Sequence, residues 1–513
     1  MALRSLALAS LAAAATAAPD PHAIPERYRS MDSQVRPARG ARAGEYPAPR
    51  FVTQRLDHFD GSNLKRWQQA YYVNDKAWKR GSSAPVFLCV GGEGPPLDGS
   101  AVVDSVHCNV AVEWLEETGA LMFALEHRYY GCHNRSACPV PDLGVKGAMR
   151  YLSSRQALGD IAAFVRFARH EYGLTEQNKW VTWGGSYPGM LAGWARLKFP
   201  HLIHAAVASS APVRAELEMQ GYFDVVGDAY AVVHEDVGGS PACREAIAEG
   251  HRRIGKMFGS VAGLEQLAAL FGGNAANYAD EEQQRSFAGY GVASFPAQSN
   301  DPACDTPMCD IGRICKAMTD RSLGDEVDRL AHVRRSQRGG SGARSAADVA
   351  PHAGDEEAVP GYGHGWQLWA WQTCTEFGFY QTCATGSRCI FTQGLATLSS
   401  EMDFCTRDFG IPAEVVADNI VATSDHYGSD RPSGSRVMWA SGEVDPWRAN
   451  SINEPFGGFP VLDVDGASHH FWTHASLPTD QDSVVAARHI IREQVRAFLA
   501  EEGAPDKAAA PMI

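Results

Sequence analysis

The chain has 513 residues, 45% hydrophobic and 21% charged, a globular balance that excludes wholesale disorder and fibrous or membrane-bundle architectures. Acids outnumber bases 60 to 46, for a net charge of −14, and that excess argues against a nucleic-acid partner, which needs a basic face. At roughly 150 residues per domain the length predicts several domains or one large fold with an insertion.

In chain order, Met1–Ala18 reads as a cleaved secretory signal, with Arg4 before the apolar run Leu6–Ala15 and small residues at Ala15-Thr16-Ala17. No later run approaches about 18 consecutive apolar residues, so no membrane span is expected. The destination is the secretory pathway, ending outside the cell or in a lysosome or vacuole. Residues 19–48 read as a propeptide or flexible arm. From residue 49 to 214, short apolar runs (Ala84–Val90, Ala120–Leu125, Trp180–Trp183, Ala205–Ala208) end in turn residues. Between the second and third, Ala157, Ile161, Phe164, Val165 and Ala168 recur at helical spacing behind a cap at Ser153 or Ser154. Buried strands alternating with amphipathic helices predict a parallel sheet covered on both faces. Residues 215–365 lean helical and read as an insertion, with a polar, small-residue stretch at 339–347. Strand-like runs return at Arg436–Ala440 and Phe459–Val464, and a last helix closes the second sheet portion, 366–501, before a flexible tail at 502–513.

Twelve cysteines, in an oxidising route, predict disulfides. Cys304, Cys309 and Cys315 lie close in sequence, but without a C-x-x-C pair or a histidine couple they do not read as a zinc site, and no metal is expected. Asn134-Arg135-Ser136 is a glycosylation sequon in a loop-like stretch.

The segment Trp180–Met190 carries the strongest chemical signal. A β-prone run ends in Gly184-Gly185-Ser186-Tyr187-Pro188-Gly189 and enters a helical stretch, the context of a nucleophile elbow. The match to G-x-S-x-G is imperfect, because Pro188 stands at the second glycine and Gly189 follows it. A serine nucleophile needs a histidine base and an acid to orient it. In the chain order of α/β-hydrolases both come later, acid first, after sheet strands. Asp445 and His469 fall in those places, with Glu443 and His470 as local alternatives. The backbone of Tyr187 and the Gly92–Glu93 loop are candidate oxyanion donors.

The chain resembles the serine peptidase family of lysosomal prolyl carboxypeptidase, dipeptidyl peptidase II and thymus-specific serine protease. The likeness rests on Gln54-Arg55-Leu56-Asp57-His58-Phe59, Gln69–Asn74, Gly92-Glu93-Gly94, Glu126–Gly131, Gly184–Tyr187, Lys198–His201, Ala208–Pro212, Cys374-Thr375-Glu376, Asp445-Pro446-Trp447 and His469-His470. It implies an α/β-hydrolase fold with a mainly parallel sheet and an inserted helical cap domain, and Ser186, Asp445 and His469 as nucleophile, acid and base. It also implies cleavage after proline near a peptide end, with Met190 and Trp447 lining the proline pocket. Peptides, proline-containing ones above all, are the expected partners; no cofactor is expected, and a homodimer stays open. Pro188 and Phe471-Trp472 depart from the family pattern. An esterase or lipase on the same fold, or a scaffold without catalysis, is the competing expectation. Cys374 with Cys405 is the one pairing expected.

Overall fold

The computed structural model describes residues 46–132, 134–339 and 365–501. The expected signal at 1–18, the arm up to residue 45, the stretch 340–347 and the tail at 502–513 lie outside the described residues.

The short apolar runs become strands because buried backbone must pair, and pairing within a sheet covered on both faces suits continuous apolar sequence. β1 (Arg50–Arg55) and β2 (Arg66–Asn74) form an antiparallel pair at one edge. β3 (Val86–Val90), β4 (Leu121–Leu125), β5 (Trp180–Gly185) and β6 (Ala205–Ser209) are buried at every residue. β7 (Glu216–Glu218) and β8 (Gly378–Tyr380) make a separate parallel pair. The main sheet resumes with β9 (Val437–Gly442) and β10 (Val461–Val464). Its order is β1-β2-β4-β3-β5-β6-β9-β10, with β2 antiparallel to both neighbours and every pair from β4 to β10 parallel. The expected α/β-hydrolase class, with a mainly parallel sheet, is what the chain forms.

Helix α1 (Ser154–Tyr172) starts where the Ser153 side chain accepts the Gln156 N–H, so Ser153 is the cap, and it stops at Gly173 with φ 66°. With α2 (Tyr187–Lys198) it covers one face of the sheet. There Val86, Leu88 and Val90 meet Phe123, Phe164 and Trp180, with Phe123 stacked on Trp180 at 5.8 Å. Truncating one such ring to alanine costs about 3–5 kcal/mol.

Between β6 and β9 the chain is largely helical. α3 (Gln220–Ala229), α4 (Pro241–Met257), α5 (Val261–Phe271), α6 (Ile311–Thr319) and α7 (Glu326–Gly339) enclose a core of their own that includes Ile247, Ile254, Leu267, Ile314 and Leu330. A Cys243–Cys315 disulfide joins α4 to α6. Val444, in the loop after β9, belongs to this core rather than to the sheet's. α8 (Gly365–Gln372), α9 (Leu398–Phe409) and α10 (Ala413–Tyr427) follow, with Phe404, Val416 and the expected Cys374–Cys405 disulfide between them. Trp369, Phe377 and Tyr427 of this stretch pack into the sheet core beside α2. α11 (Asp482–Ala500) then covers the other face, setting Ile491 and Val495 against Phe87, Trp183 and Met438.

One buried ion pair fastens α1 to the loop after β4. Arg128 gives Nε to Asp160 Oδ2 at 2.6 Å and an NH2 to Oδ1 at 2.7 Å, and it also donates to the carbonyls of Leu56 and Tyr151. Both side chains are essentially inaccessible, 0% and 1% exposed. Burial pushes the Asp160 carboxyl up, but the Arg128 charge and the bonds from His58 and Arg128 outweigh it and hold the group below its ordinary 3.8. The stabilisation is therefore complete above the unfolded value and lost as pH falls through the depressed one. Asp160→Asn strands a buried guanidinium and is expected to cost about 3–5 kcal/mol at neutral pH. A thermal melt checks this; a variant that melts with the wild type would show that the pair stabilises nothing.

Candidate active site

The site is built on strand ends. β5 stops at Gly185 and α2 begins at Tyr187, leaving Ser186 between them at φ 63° and ψ −133°, a conformation rare for a residue with a side chain. Ser186 N–H donates to the Ser209 carbonyl at 2.9 Å, and its own carbonyl accepts from Met190 N–H at 3.0 Å. The turn tolerates no bulk: a Cβ on Gly185 would lie 2.8 Å from the His470 ring, and one on Gly189 would lie 2.8 Å from the Ser209 carbonyl oxygen. Pro188, the departure from G-x-S-x-G, sits in the first turn of α2, where a missing N–H leaves no helical bond unmade. Its ring fills the space over Gly92, whose Cβ would come within 2.3 Å of it. Thus the loop after β3 lies directly against the elbow.

Asp445 follows β9 and caps the short turn Pro446–Asn450, its Oδ1 accepting the Trp447 backbone N–H at 3.0 Å. Both carboxylate oxygens stand 2.9 Å from His469 Nδ1, and Asp445 is fully buried. His469 follows β10; its backbone N–H donates to the Gln298 carbonyl at 3.1 Å. Its neighbour His470 is occupied differently. The His470 N–H donates to Ser210 Oγ at 2.8 Å, and Nδ1 meets Thr473 Oγ1 at 3.2 Å. Burial, then the charges of His469, His107 and His474, push the His470 pKa well below its ordinary value, so it stays neutral. Glu443 accepts the Gly466 N–H at 2.8 Å, tying the end of β9 to the turn before the histidines, and Asp463 pairs with Arg448. Of the acids and histidines weighed from sequence, the pair in contact is Asp445 with His469. Ser186 is one residue from the Gly185–His470 contact, so the elbow and the histidine loop share one rim.

The other expected residues divide. Tyr187 offers a backbone N–H in the first turn of α2, where helical N–H groups have no intrahelical partner. Gly92 lies at Pro188, and Glu93 beside it is half-buried. Trp447 meets Tyr222 and Phe379 edge-on, each at 5.5 Å, and lies 6.3 Å from the His469 ring. Met190 is fully buried in the sheet core. Asn134 is exposed on the turn closed by Cys132–Cys138, with Oδ1 accepting from the Ser136 and Ala137 N–H groups. Cys304 and Cys309 are bonded to each other and Cys315 to Cys243. Among the described residues the one group with metal-ligand spacing, Cys304, Cys309 and Asp310, therefore has its sulfurs in a disulfide.

Two features escape sequence reasoning. Gln298, in a coil of the insertion, accepts the Trp447 indole N–H at 3.1 Å and the Tyr222 hydroxyl at 2.7 Å on one amide oxygen. Beneath the elbow runs a buried polar chain. His127 gives Nδ1–H to the Arg128 carbonyl at 2.7 Å, so its Nε2 accepts the Tyr187 hydroxyl at 3.0 Å. Gln372 donates to that hydroxyl at 3.0 Å and takes the Tyr130 hydroxyl at 2.7 Å, while Glu376 accepts the Ser154 N–H at the start of α1. The segments Glu126–Gly131 and Cys374–Glu376 held that signal, though nothing in them says which partners they reach.

Residues 54–491 match the family described as serine carboxypeptidase S28. The thymus-specific serine protease of Homo sapiens is 34% identical over 485 residues, covering 90% of this chain and 88% of that protein. The lysosomal Pro-X carboxypeptidase of Mus musculus is 26% identical over 455 residues, covering 85% and 86%. A solved proline iminopeptidase from Mycobacterium smegmatis overlaps 88% of this chain and 99% of its own at 12% identity and a TM-score of 0.34, too slight a likeness to bear on function. The chain belongs to the serine carboxypeptidase S28 family and is a serine peptidase.

Proposed function

We propose that this peptidase cleaves after proline near a chain end, through Ser186, His469 and Asp445. The observation that carries the assignment is the buried Asp445 carboxylate 2.9 Å from His469 Nδ1, at the rim that bears the strained Ser186. Asp445 fixes the imidazole with its proton on Nδ1 and stabilises the cation that forms, leaving Nε2 to take the Ser186 proton. The Ser186 oxygen attacks the scissile carbonyl, and the Tyr187 N–H with the backbone of Gly92 and Glu93 receives the oxyanion. Collapse of the intermediate passes the proton from Nε2 to the leaving amine, and water then releases the acyl group by the same route in reverse. No metal or cofactor enters.

Trp447, flanked by Tyr222 and Phe379, supplies a flat apolar wall next to His469, a surface suited to a pyrrolidine ring, with Met190 behind the elbow. The relative named Pro-X carboxypeptidase supports the preference for proline and an exopeptidase mode. The helical insertion, taken as 215–365, roofs the cleft and limits it to short or unfolded peptides. Six disulfides, with no free cysteine among the described residues, support folding in the secretory pathway, with an extracellular or lysosomal destination and glycosylation at Asn134.

Ser186→Ala is expected to abolish labelling by an organophosphonate and to lower kcat by about 10⁴-fold or more. Persistent labelling would remove Ser186 from the role. Mass spectrometry of a mixed peptide library is expected to show single cuts after proline close to one terminus. Cuts spread along the peptides would defeat the exopeptidase reading, and strong preference for a short-chain ester over a prolyl amide would favour an esterase.

A further inference from the structure

One segment of the insertion, around Gln298, hydrogen-bonds both the acid loop and the base loop. The Gln298 carbonyl accepts the His469 N–H, and the Asn300 carbonyl two residues on accepts Ser468 Oγ at 2.8 Å. The Gln298 side chain faces the other way, to the loop that carries the acid. The Trp447 indole can only donate, and burial together with the Asp445 carboxylate keeps the Tyr222 phenol protonated. Both hydrogen bonds therefore end on the amide oxygen, which fixes the amide's orientation. Trp447 in turn gives its backbone N–H to Asp445 at 3.0 Å, and Asp445 holds His469. The contacts close a ring: Gln298 main chain, His469, Asp445, Trp447, Gln298 side chain.

We propose that Gln298 is a positioning residue of the catalytic site, through which the helical insertion holds the acid loop and the base loop in register. The inference rests on the Ser186–His469–Asp445 reading above. Gln298 need not touch substrate. Its main-chain carbonyl sets the His469 backbone and its amide oxygen sets the Trp447 ring. Removing the amide while the carbonyl stays therefore frees the acid loop against a held base loop and tilts the imidazole relative to the Ser186 oxygen. Small misplacements of this kind cost rate rather than affinity.

The test measures organophosphonate inactivation, kcat and KM for Gln298→Ala, Tyr222→Phe and the double variant, with Ser186→Ala alongside and melting followed for each. Gln298→Ala is expected to slow inactivation and to lower kcat by about tenfold, with KM within about twofold and the melt close to wild type. Tyr222→Phe, which removes a single hydroxyl and serves if the first variant fails to fold, is expected to lower kcat about threefold. In the double variant the hydroxyl has nothing left to act through, so no further loss is expected beyond Gln298→Ala. A wild-type inactivation rate in Gln298→Ala (or, where that variant does not fold, in Tyr222→Phe), a loss confined to KM, or strictly additive losses would overturn the proposal. If Ser186→Ala is still labelled, the triad assignment fails first. If it is unlabelled while Gln298→Ala reacts at the wild-type rate, only the role of Gln298 fails.

Discussion

Backbone must approach backbone at the carboxyl ends of β5, β6 and β9, closer than any side chain permits, and the site exists because the chain meets that demand. A Cβ on Gly442, at the end of β9, would lie 2.2 Å from the Ala467 carbonyl oxygen, and one on Gly185 would strike the His470 ring. These vacancies let the loop after β10 lie down across two strand ends. Ser210, just past β6, completes the seat by accepting the His470 N–H. With the loop seated, His469 has one place to go, and Asp445 is already there, held by the backbone of its own turn. The parallel sheet supplies the geometry, since all three strands discharge their loops at the same edge.

The division of labour between the two histidines follows from the same seating. His470 adopts φ 39° and gives up its N–H, its Nδ1 and most of its solvent to the fold, whereas His469 keeps one ring nitrogen committed to a carboxylate and the other uncommitted among the described contacts. Two adjacent residues of identical chemistry thus sit in unlike roles, one wedged into the fold and one paired with a buried carboxylate.

What could be read from the letters alone was whatever repeats locally. Ser186 stood out because strand, small residues and helix follow within about a dozen positions, and Asp445 and His469 because each trails a β-prone run. Pro188 looked like a flaw in the motif. It is a first-turn helical residue packed on Gly92, a contact nearly a hundred positions away in sequence. Gln298 gave no sign at all. It lies in an aperiodic stretch, Pro296-Ala297-Gln298-Ser299-Asn300, and its partners Trp447 and His469 are brought to it only by the completed fold. The Tyr187–Gln372 bond, spanning 185 positions, was hidden for the same reason. The stretch after Trp366 forms α8–α10 and one very short strand before the sheet resumes at Val437. Three-residue strands such as β7 and β8 are too brief to show a period of two. Ser153 and Ser154 were equal as caps until Glu376 claimed the second.

Val444 packs among the helices of the insertion while the next residue, Asp445, belongs to the sheet's rim. Trp447 packs in the sheet's core, so the turn from Val444 to Trp447 carries the border between two cores with Asp445 inside it. A chimera that grafts the helical segment of a relative onto this sheet would break the packing at the residue adjoining the acid unless the loop from 442 to 447 travelled with the graft. Diversification of such enzymes by wholesale module exchange is accordingly constrained, and new preferences are easier to reach by replacing residues in place.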